Sequence, residues 1–425
     1  MKISNGAMGL IFLAVIFFSC KKNSIEQNAG NAAWIKVMDD SAVYFPGKIR
    51  ADAASNLFCS YNYRNYVIDS NSAIIKLDPS GNLLWRKQFD NLTIYDFMIN
   101  PDGDVVIASY DAGMITLTIL SSEDTTHFLL GAYPLPLVTD KIRDIVGMKI
   151  STTADGNYVI SSTVFYRKNN ERVSMGFIME VTTSGVQLWM GDYFFPINEA
   201  TTITGCAGAE DGYLLFGNVQ KRFPAVSSFF VMKCDSKGDS LWTKFYETSN
   251  YTSTGPDSGT YHGYYCYTTD IISSGDNNFY ACAYNEKYNL PNVSNLPIYT
   301  DDDNSARIMK ISQEGTLIKS ASLKHDFQNM AADLVRTGDN GLLIGLNPIN
   351  LVGTYYLGMQ SSFVARLNTN LDILSVSNIQ THYYDYLGSL CVTPDGHYAI
   401  ETMIQSFGSE SFLLEIIKTN ENGNF

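Results

Sequence analysis

The chain has 425 residues, 45% of them hydrophobic and only 17% charged, with a formal net charge of −14. That is enough apolar material for a large core, in several domains or in one repeat body, while the acidic balance, with no basic stripe to offset it, excludes a phosphate backbone as partner. An aromatic content of 13%, with 27 Tyr, 23 Phe and 32 Gly and no long Ala/Leu/Glu/Lys run, predicts an all-β protein.

At the N-terminus, Lys2 precedes an apolar run from Ala7 to Phe18, followed by Ser19, Cys20, Lys21 and Lys22. The run is too short to span a bilayer with margin and has the form of a secretory signal. With Cys directly after a small residue, the SCKKN stretch resembles a bacterial lipoprotein signal of the Bacteroidota kind. The resemblance implies cleavage after residue 19, acylation of Cys20 and attachment to the outer membrane, with the leaflet left open. Phe17 stands where Leu is commoner, and only Glu26 lies near the Cys as an acidic residue. Residues 20–32 are small and polar and are expected to be a flexible tether, leaving residues 33–425 as the folded body. The remaining cysteines, Cys59, Cys206, Cys234, Cys266, Cys282 and Cys391, each fall in an apolar strand-like run without CxxC spacing. They read as buried thiols, with Cys266 and Cys282 the best-placed pair for a bridge.

Two hairpin signals then alternate along the chain. One is an Asp-Gly or Asn-Gly type turn leading into an alternating strand: PDGDVVIASY from Pro101, ADGNYVISST from Ala154, EDGYLLFGNV from Glu210, GDNNFYACAY from Gly275, GDNGLLIGLN from Gly338 and PDGHYAIETM from Pro394. Such turns supply the positive φ of a tight hairpin. The other is an apolar strand, a short polar turn and a strand carrying a large apolar residue: AIIKLDPSGNLLW from Ala73, FIMEVTTSGVQLW from Phe177, FFVMKCDSKGDSLW from Phe229, ARIMKISQEGTLI from Ala306 and FVARLNTNLDILS from Phe363. In the last of these Asn370 is expected at the left-handed turn position. The second unit is degenerate, with SSEDTTHFLL from Ser121 in place of the motif.

Paired, these hairpins make units starting near residues 46, 94, 143, 200, 264, 328 and 383. Four short antiparallel strands per unit predict a seven-bladed β-propeller. The turn consensus resembles the DGxY and KxDxxGxxLW repeats of exported Bacteroidota propellers and, more distantly, tryptophan-docked quinoprotein-type propellers, which implies a fold but no activity. Trp85, Trp189 and Trp242, at the same place in each intact motif, are expected to dock one blade on the next. The final residues, IKTNENGNF, align with IKLDPSGNL from Ile75, so the chain stops one strand short. Residues 33–38, with Trp34, are expected to supply that outer strand and close the ring.

The turns within each hairpin are uniformly tight, whereas the segments between second and third strands are long, as in NEKYNLPNVSNLPIYTDDDNS from Asn285 and NPINLVGTYYLGMQSS from Asn347. Long loops grouped on one face of a rigid scaffold are where binding resides. The segments entering each first strand would lie on that face and bring aromatic, acidic and basic groups together: Tyr95, Asp96, Arg143, Asp144, His262, Tyr264, Tyr384 and Asp385. Rings beside carboxylates suit the C–H faces and hydroxyls of sugars. Asp301, Asp302 and Asp303 lack the ligand alternation of a calcium loop, the five histidines show no metal spacing, and no nucleophile elbow, phosphate loop or dinucleotide fingerprint occurs. No metal or cofactor is expected. The expected function is a lipid-anchored envelope binding or scaffold module, monomeric in its body, that meets a glycan or protein partner. The alternative is a glycan-processing glycosidase or lyase, using central carboxylates such as Asp96, Asp144 and Asp385 with His262 or His382.

Overall fold

The computed structural model describes residues 25–27, 33–38, 43–64, 70–111, 114–121, 125–132, 144–153, 155–168, 171–193, 200–221, 226–250, 260–291, 298–299, 305–323, 329–348, 361–379, 381, 384–405 and 412–420. Among these residues the secondary structure is β throughout, in up-and-down antiparallel meanders of four strands. The first meander runs Val43–Ala51, Leu57–Arg64, Ser70–Leu77 and Leu83–Phe89. The second runs Thr93–Ile99, Val105–Asp111, Met114–Leu120 and Thr125–Ala132. The third (Asp144–Thr152, Tyr158–Lys168, Glu171–Val181, Gln187–Tyr193) and fourth (Ala200–Ala209, Gly212–Lys221, Val226–Cys234, Ser240–Asn250) are joined by one parallel bridge, Ser174 to Ala200. The fifth comprises Thr260–Ser273, Asn278–Pro291, Ser305–Ser312 and Leu317–Leu323, with the short strand Ile298–Tyr299 added beside Asn278–Pro291. The sixth comprises Asn329–Arg336, Leu342–Pro348, Phe363–Leu367 and Ile373–Asn378.

The last meander takes only three strands from the C-terminal part of the chain, Tyr384–Val392, Tyr398–Gln405 and Leu413–Lys418. Its fourth is Trp34–Met38, paired antiparallel to Leu413–Lys418 with Trp34 opposite Lys418 and Met38 opposite Leu414. Ile25–Gln27, inside the segment expected as a tether, adds a further short strand beside Trp34–Met38. The N-terminal strand also reaches the first meander. Trp34 Nε1 donates to the Pro79 carbonyl at 2.9 Å and Lys36 Nζ to the Gly81 carbonyl at 2.8 Å, so the N-terminal strand holds the turn at 78–82.

Turn chemistry accounts for the hairpins. In the first meander Asp78 accepts from the Ser80 and Asn82 amides at 2.9 and 2.8 Å, and Gly81 takes φ +83°. Asn368 plays the part of Asp78 in the sixth meander, accepting from the Asn370 and Asp372 amides at 2.9 Å each. The left-handed position there is Leu371, with φ +60°, and not Asn370 as the sequence suggests. A Leu pays for that conformation with about 1–2 kcal/mol, and burial of its side chain to 3% exposure within the apolar cluster joining the fifth and sixth meanders offsets the cost.

Neighbouring meanders share their apolar clusters face to face. Phe58 and Ile74 of the first pack with Phe97 and Ile107 of the second, Val106 and Leu117 of the second with Tyr158 and Phe177 of the third, and Tyr44 and Ile75 of the first with Trp34 and Leu414 of the last sheet. Cys59, Cys206, Cys234, Cys282 and Cys391 are free thiols. The suggested Cys266–Cys282 bridge is therefore absent at Cys282. The strand register explains it: Cys266 faces Asn285 while Cys282 faces Asp270.

Candidate functional site

The innermost strand of each meander breaks register with its neighbour at one recurring place: Pro46/Ile49, Ile94/Asp96, Val146/Lys149, Ile203/Gly205, Thr268/Asp270, Ala331/Asp333 and Leu387/Ser389. A bulge inserts an extra residue and re-aims the side chains beside it. Side chains of adjacent sheets pin the bulges. Asn62 exchanges two hydrogen bonds of 3.0 Å with the backbone of Ile94, Thr163 does the same with Ile203 at 3.0 and 2.8 Å, and Asn347 with Leu387 at 2.8 Å each.

What the bulges converge on is a cluster of charged groups. Lys48 Nζ lies 3.2 Å from Asp333 Oδ1, Arg50 Nη2 lies 3.0 Å from Asp96 Oδ1, and Lys149 Nζ lies 2.7 Å from Asp270 Oδ2. Each carboxylate is also engaged by main chain. Asp96 accepts from the Phe97 and Ile150 amides at 3.0 and 3.2 Å, Asp270 from the Ile271 amide at 2.9 Å, and Asp333 from the Leu390 amide at 3.0 Å and the Ser389 hydroxyl at 2.6 Å. Gly205 makes room, since a Cβ there would stand 3.0 Å from Asp270 Oδ1.

Burial alone would raise the Asp333 pKa, but Lys48, Lys149 and Arg50 outweigh it and hold the carboxyl well below its ordinary value. Desolvation works against the Lys149 ammonium, yet Asp270, Asp96 and Asp333 keep its pKa above the usual lysine range. For Lys48 desolvation wins over Asp333 and the pKa falls. Three cations and three carboxylates thus cancel in a partly buried cluster, where the Arg50 side chain keeps 30% of its exposure.

Glu401 sits beside this cluster, fully buried. Its Oε1 accepts from the Gly47 amide at 3.2 Å, and burial pushes its pKa up to about 8 against the pull of Lys48 and Arg50. Nearby in sequence, Thr381 Oγ1 bonds both Asp385 Oδ1 at 3.1 Å and Glu415 Oε2 at 2.6 Å. Burial and the Asp385 charge raise Glu415 to about 7. Both acids are sealed, at 1% and 0% exposure.

Of the residues singled out in the sequence, Asp96 belongs to the central cluster and Asp385 to the Thr381 pair. The Tyr95 hydroxyl donates to the Ile145 carbonyl at 2.9 Å, with its ring against the cluster joining the second and third meanders. The backbone of Asp144, His262, Tyr264 and Tyr384 lies in innermost strands, opposite Phe165, Asn289, Lys287 and Gln405. Cys20, Arg143, His382 and Asp301 to Asp303 lie outside the described residues. Lys48, Arg50, Lys149, Asp270, Asp333 and Glu401 were missed. A signal for some of them exists in IYDFM, TTDII and AADLV, where an Asp recurs at the same place in the innermost strand. Among the described residues no group of three or more His, Cys, Asp or Glu is placed to hold a metal ion.

No family model matches the chain, and no curated protein matches it in sequence. Solved structures similar to it include the β-propeller domain of the Trilobed protease from Pyrococcus furiosus, at 9% identity and TM-score 0.47 over 89% of this chain and 98% of that one. A protein of unknown function from Dyadobacter fermentans is 11% identical, with TM-score 0.46 over 90% and 96%. The WD40 domain of Toxoplasma gondii coronin is 7% identical, with TM-score 0.45 over 92% and 88%. The likeness concerns the fold alone: an all-β chain of four-stranded antiparallel sheets, with β-propellers as its structural neighbours.

Proposed function

We propose that the protein is a binding or scaffold module of the cell envelope, a closed ring of seven blades tethered to the outer membrane by acyl chains on Cys20. In this reading it meets a glycan or protein partner through its loop-rich face. The observation that carries a binding role over catalysis is the commitment of the central acids. Asp96, Asp270 and Asp333 are each engaged by a cation and by main-chain donors, so their oxygens are occupied within the protein rather than offered to a substrate. A glycan array and a pull-down from envelope extract with the full chain test this reading. Saturable binding, competed by the free glycan or the purified partner, is expected. Hydrolytic or eliminative turnover of a polysaccharide, with no stable partner, would overturn it.

The second reading, a glycan-processing enzyme, draws on Asp385 and Glu415, two acids sharing Thr381 with one of them raised to about 7. Such a pair has the proton arrangement of an acid and a base. Their burial argues against it, because no sugar bond reaches a sealed carboxyl. Loss of a measured turnover in Asp385→Asn, with the melting temperature kept, would favour the enzyme.

A further inference from the structure

Exposed apolar side chains are not scattered over the sheets. Among the described residues every large one except Phe45 lies on an outermost strand or in the turn that leads into it. Five of them, Leu84, Leu188, Leu241, Ile318 and Leu374, hold the same place. In the first sheet Leu77 faces Leu83 and Lys76 faces Trp85, so Leu84 is skipped, and the same skip occurs in the third, fourth, fifth and sixth. A bulge leaves its extra residue unpaired, and these five are 50–55% exposed.

They share one end of the sheets. Trp189, beside Leu188, lies over Gly238 in the turn before Leu241, and Trp242, beside Leu241, lies over Gly315 in the turn before Ile318. Lys319, beside Ile318, pairs with Asp372, just before Leu374, at 3.1 Å. From the third sheet to the sixth the apolar residues therefore follow one another along one rim. Trp34 over Gly81, in the turn before Leu84, joins the last sheet to the first in the same way. In the last sheet the corresponding residue, before Trp34, is Ala33, which is small and buried. There the outer edge carries Ile25–Gln27, with Gln27 opposite Trp34.

The rim is aliphatic and interrupted. Protein interfaces concentrate binding in packed centres rich in Trp, Tyr and Arg, and a bulge works against pairing with another strand. A lipid surface accepts aliphatic side chains one at a time. The chain ahead of the sheets also has the reach. Ile25 is five residues from Cys20, a span of at most about 18 Å, whereas it stands only about 7 Å along its strand from Gln27, the residue opposite Trp34. Acyl chains on Cys20 can thus enter a bilayer at this end with Ile25–Gln27 still paired.

We propose that the rim carrying Leu84, Leu241 and Leu374 rests on the lipid surface that anchors the chain, with the opposite end of the strands turned away from the membrane. This rests on the reading that Cys20 is acylated and adds the orientation of the body. The contact by itself is weak and reversible, and the acyl chains make it lasting.

Two measurements test it. The acylated full chain on vesicles of phosphatidylcholine and phosphatidylethanolamine is compared by hydrogen exchange with the lipid-free chain carrying Cys20→Ala. Exchange at residues 82–85, 239–242 and 372–375 should be at least threefold slower on the vesicles, and exchange at residues 43–46, at the other end of the first sheet, should be unchanged. The full chain with Cys20→Ala should also float with the same vesicles, saturably and only at high lipid. Leu84→Ser, Leu241→Ser and Leu374→Ser combined, all at exposed positions, should weaken that flotation at least tenfold with the melting temperature kept, whereas Phe45→Ser should not. Flotation of this kind in a protein whose Cys20 takes no fatty-acid label would support the docking and refute the anchor. An acylated chain held on vesicles with its rim exchanging as fast as in solution would overturn the docking and leave the anchor intact. Equal flotation of the triple variant and its parent would overturn it too. So would self-association lost in the triple variant without any flotation, which would assign the rim to a second copy.

Discussion

Leu371 and Glu401 show how single residues carry cost and compensation. Leu371→Gly relieves a left-handed Leu but empties a buried site, and a loss of about 2–4 kcal/mol is expected in urea unfolding. The Trp34 ring lies over Gly81, where a Cβ would stand 2.9 Å from it, and Lys319, opposite Lys310 as Trp85 is opposite Lys76, is the matching place for a ring, so adding Lys319→Trp to that variant should return part of the loss as a favourable coupling. Glu401 keeps its proton to about pH 8 in the folded chain, against an ordinary value of 4.5. Between those two values the folded chain binds more protons than the unfolded one, so stability falls as pH rises and levels off above about 8. Glu415, raised to about 7, acts in the same sense. Unfolding of Glu401→Gln at pH 5 and pH 8.5 should show a shallower fall than the unsubstituted chain, by on the order of a few kcal/mol. Asp333 has the opposite sign: its depressed pKa gives stability present at neutral pH and lost on acidification. Asp333→Asn, which leaves Lys48 buried without its partner, should cost about 3–5 kcal/mol.

At the scale of the strand, the sequence was readable wherever local chemistry dictates geometry. Asp-Gly turns, the Asp78-type caps and alternating apolar runs print the hairpins directly, and the missing outer strand was legible because IKTNENGNF breaks off where IKLDPSGNL continues. The central ion pairs were not. Lys48 and Asp333 are 285 positions apart and Lys149 and Asp270 are 121 apart, and although an Asp recurs in IYDFM, TTDII and AADLV, nothing local says which distant cation it meets. The shift from Asn370 to Leu371 has a related cause, since residue propensity favours Asn in the left-handed region whereas tertiary burial favours Leu. The N-terminal strand makes the sharpest prediction here. Trp34→Ala should destabilise by about 3–5 kcal/mol, and deletion of residues 31–40 should lower the melting temperature further, by removing the indole, the Lys36 bond to Gly81 and the strand that pairs with Leu413–Lys418.

Across the whole molecule, architecture and attachment are separate questions. Four-stranded antiparallel sheets fold alike wherever the chain is held, and the proposed attachment rests on Cys20 alone. On the proposed attachment, Cys20→Ala should move the protein from the membrane pellet to the soluble fraction without changing its melting temperature, because Cys20 precedes Ile25–Gln27, the first strand of the described residues. The pairing of Trp34–Met38 with Leu413–Lys418 carries a further consequence in time. The first strand of the body has no sheet to join until the last strand exists, so a chain made from its N-terminus must keep Trp34 waiting through almost its entire synthesis. Closing so large a loop is entropically slow. The late step of folding is therefore the docking of residues 34–38, and the waiting strand, with its unpaired edge, is the place where an unfinished chain would be captured by a chaperone or by another copy of itself.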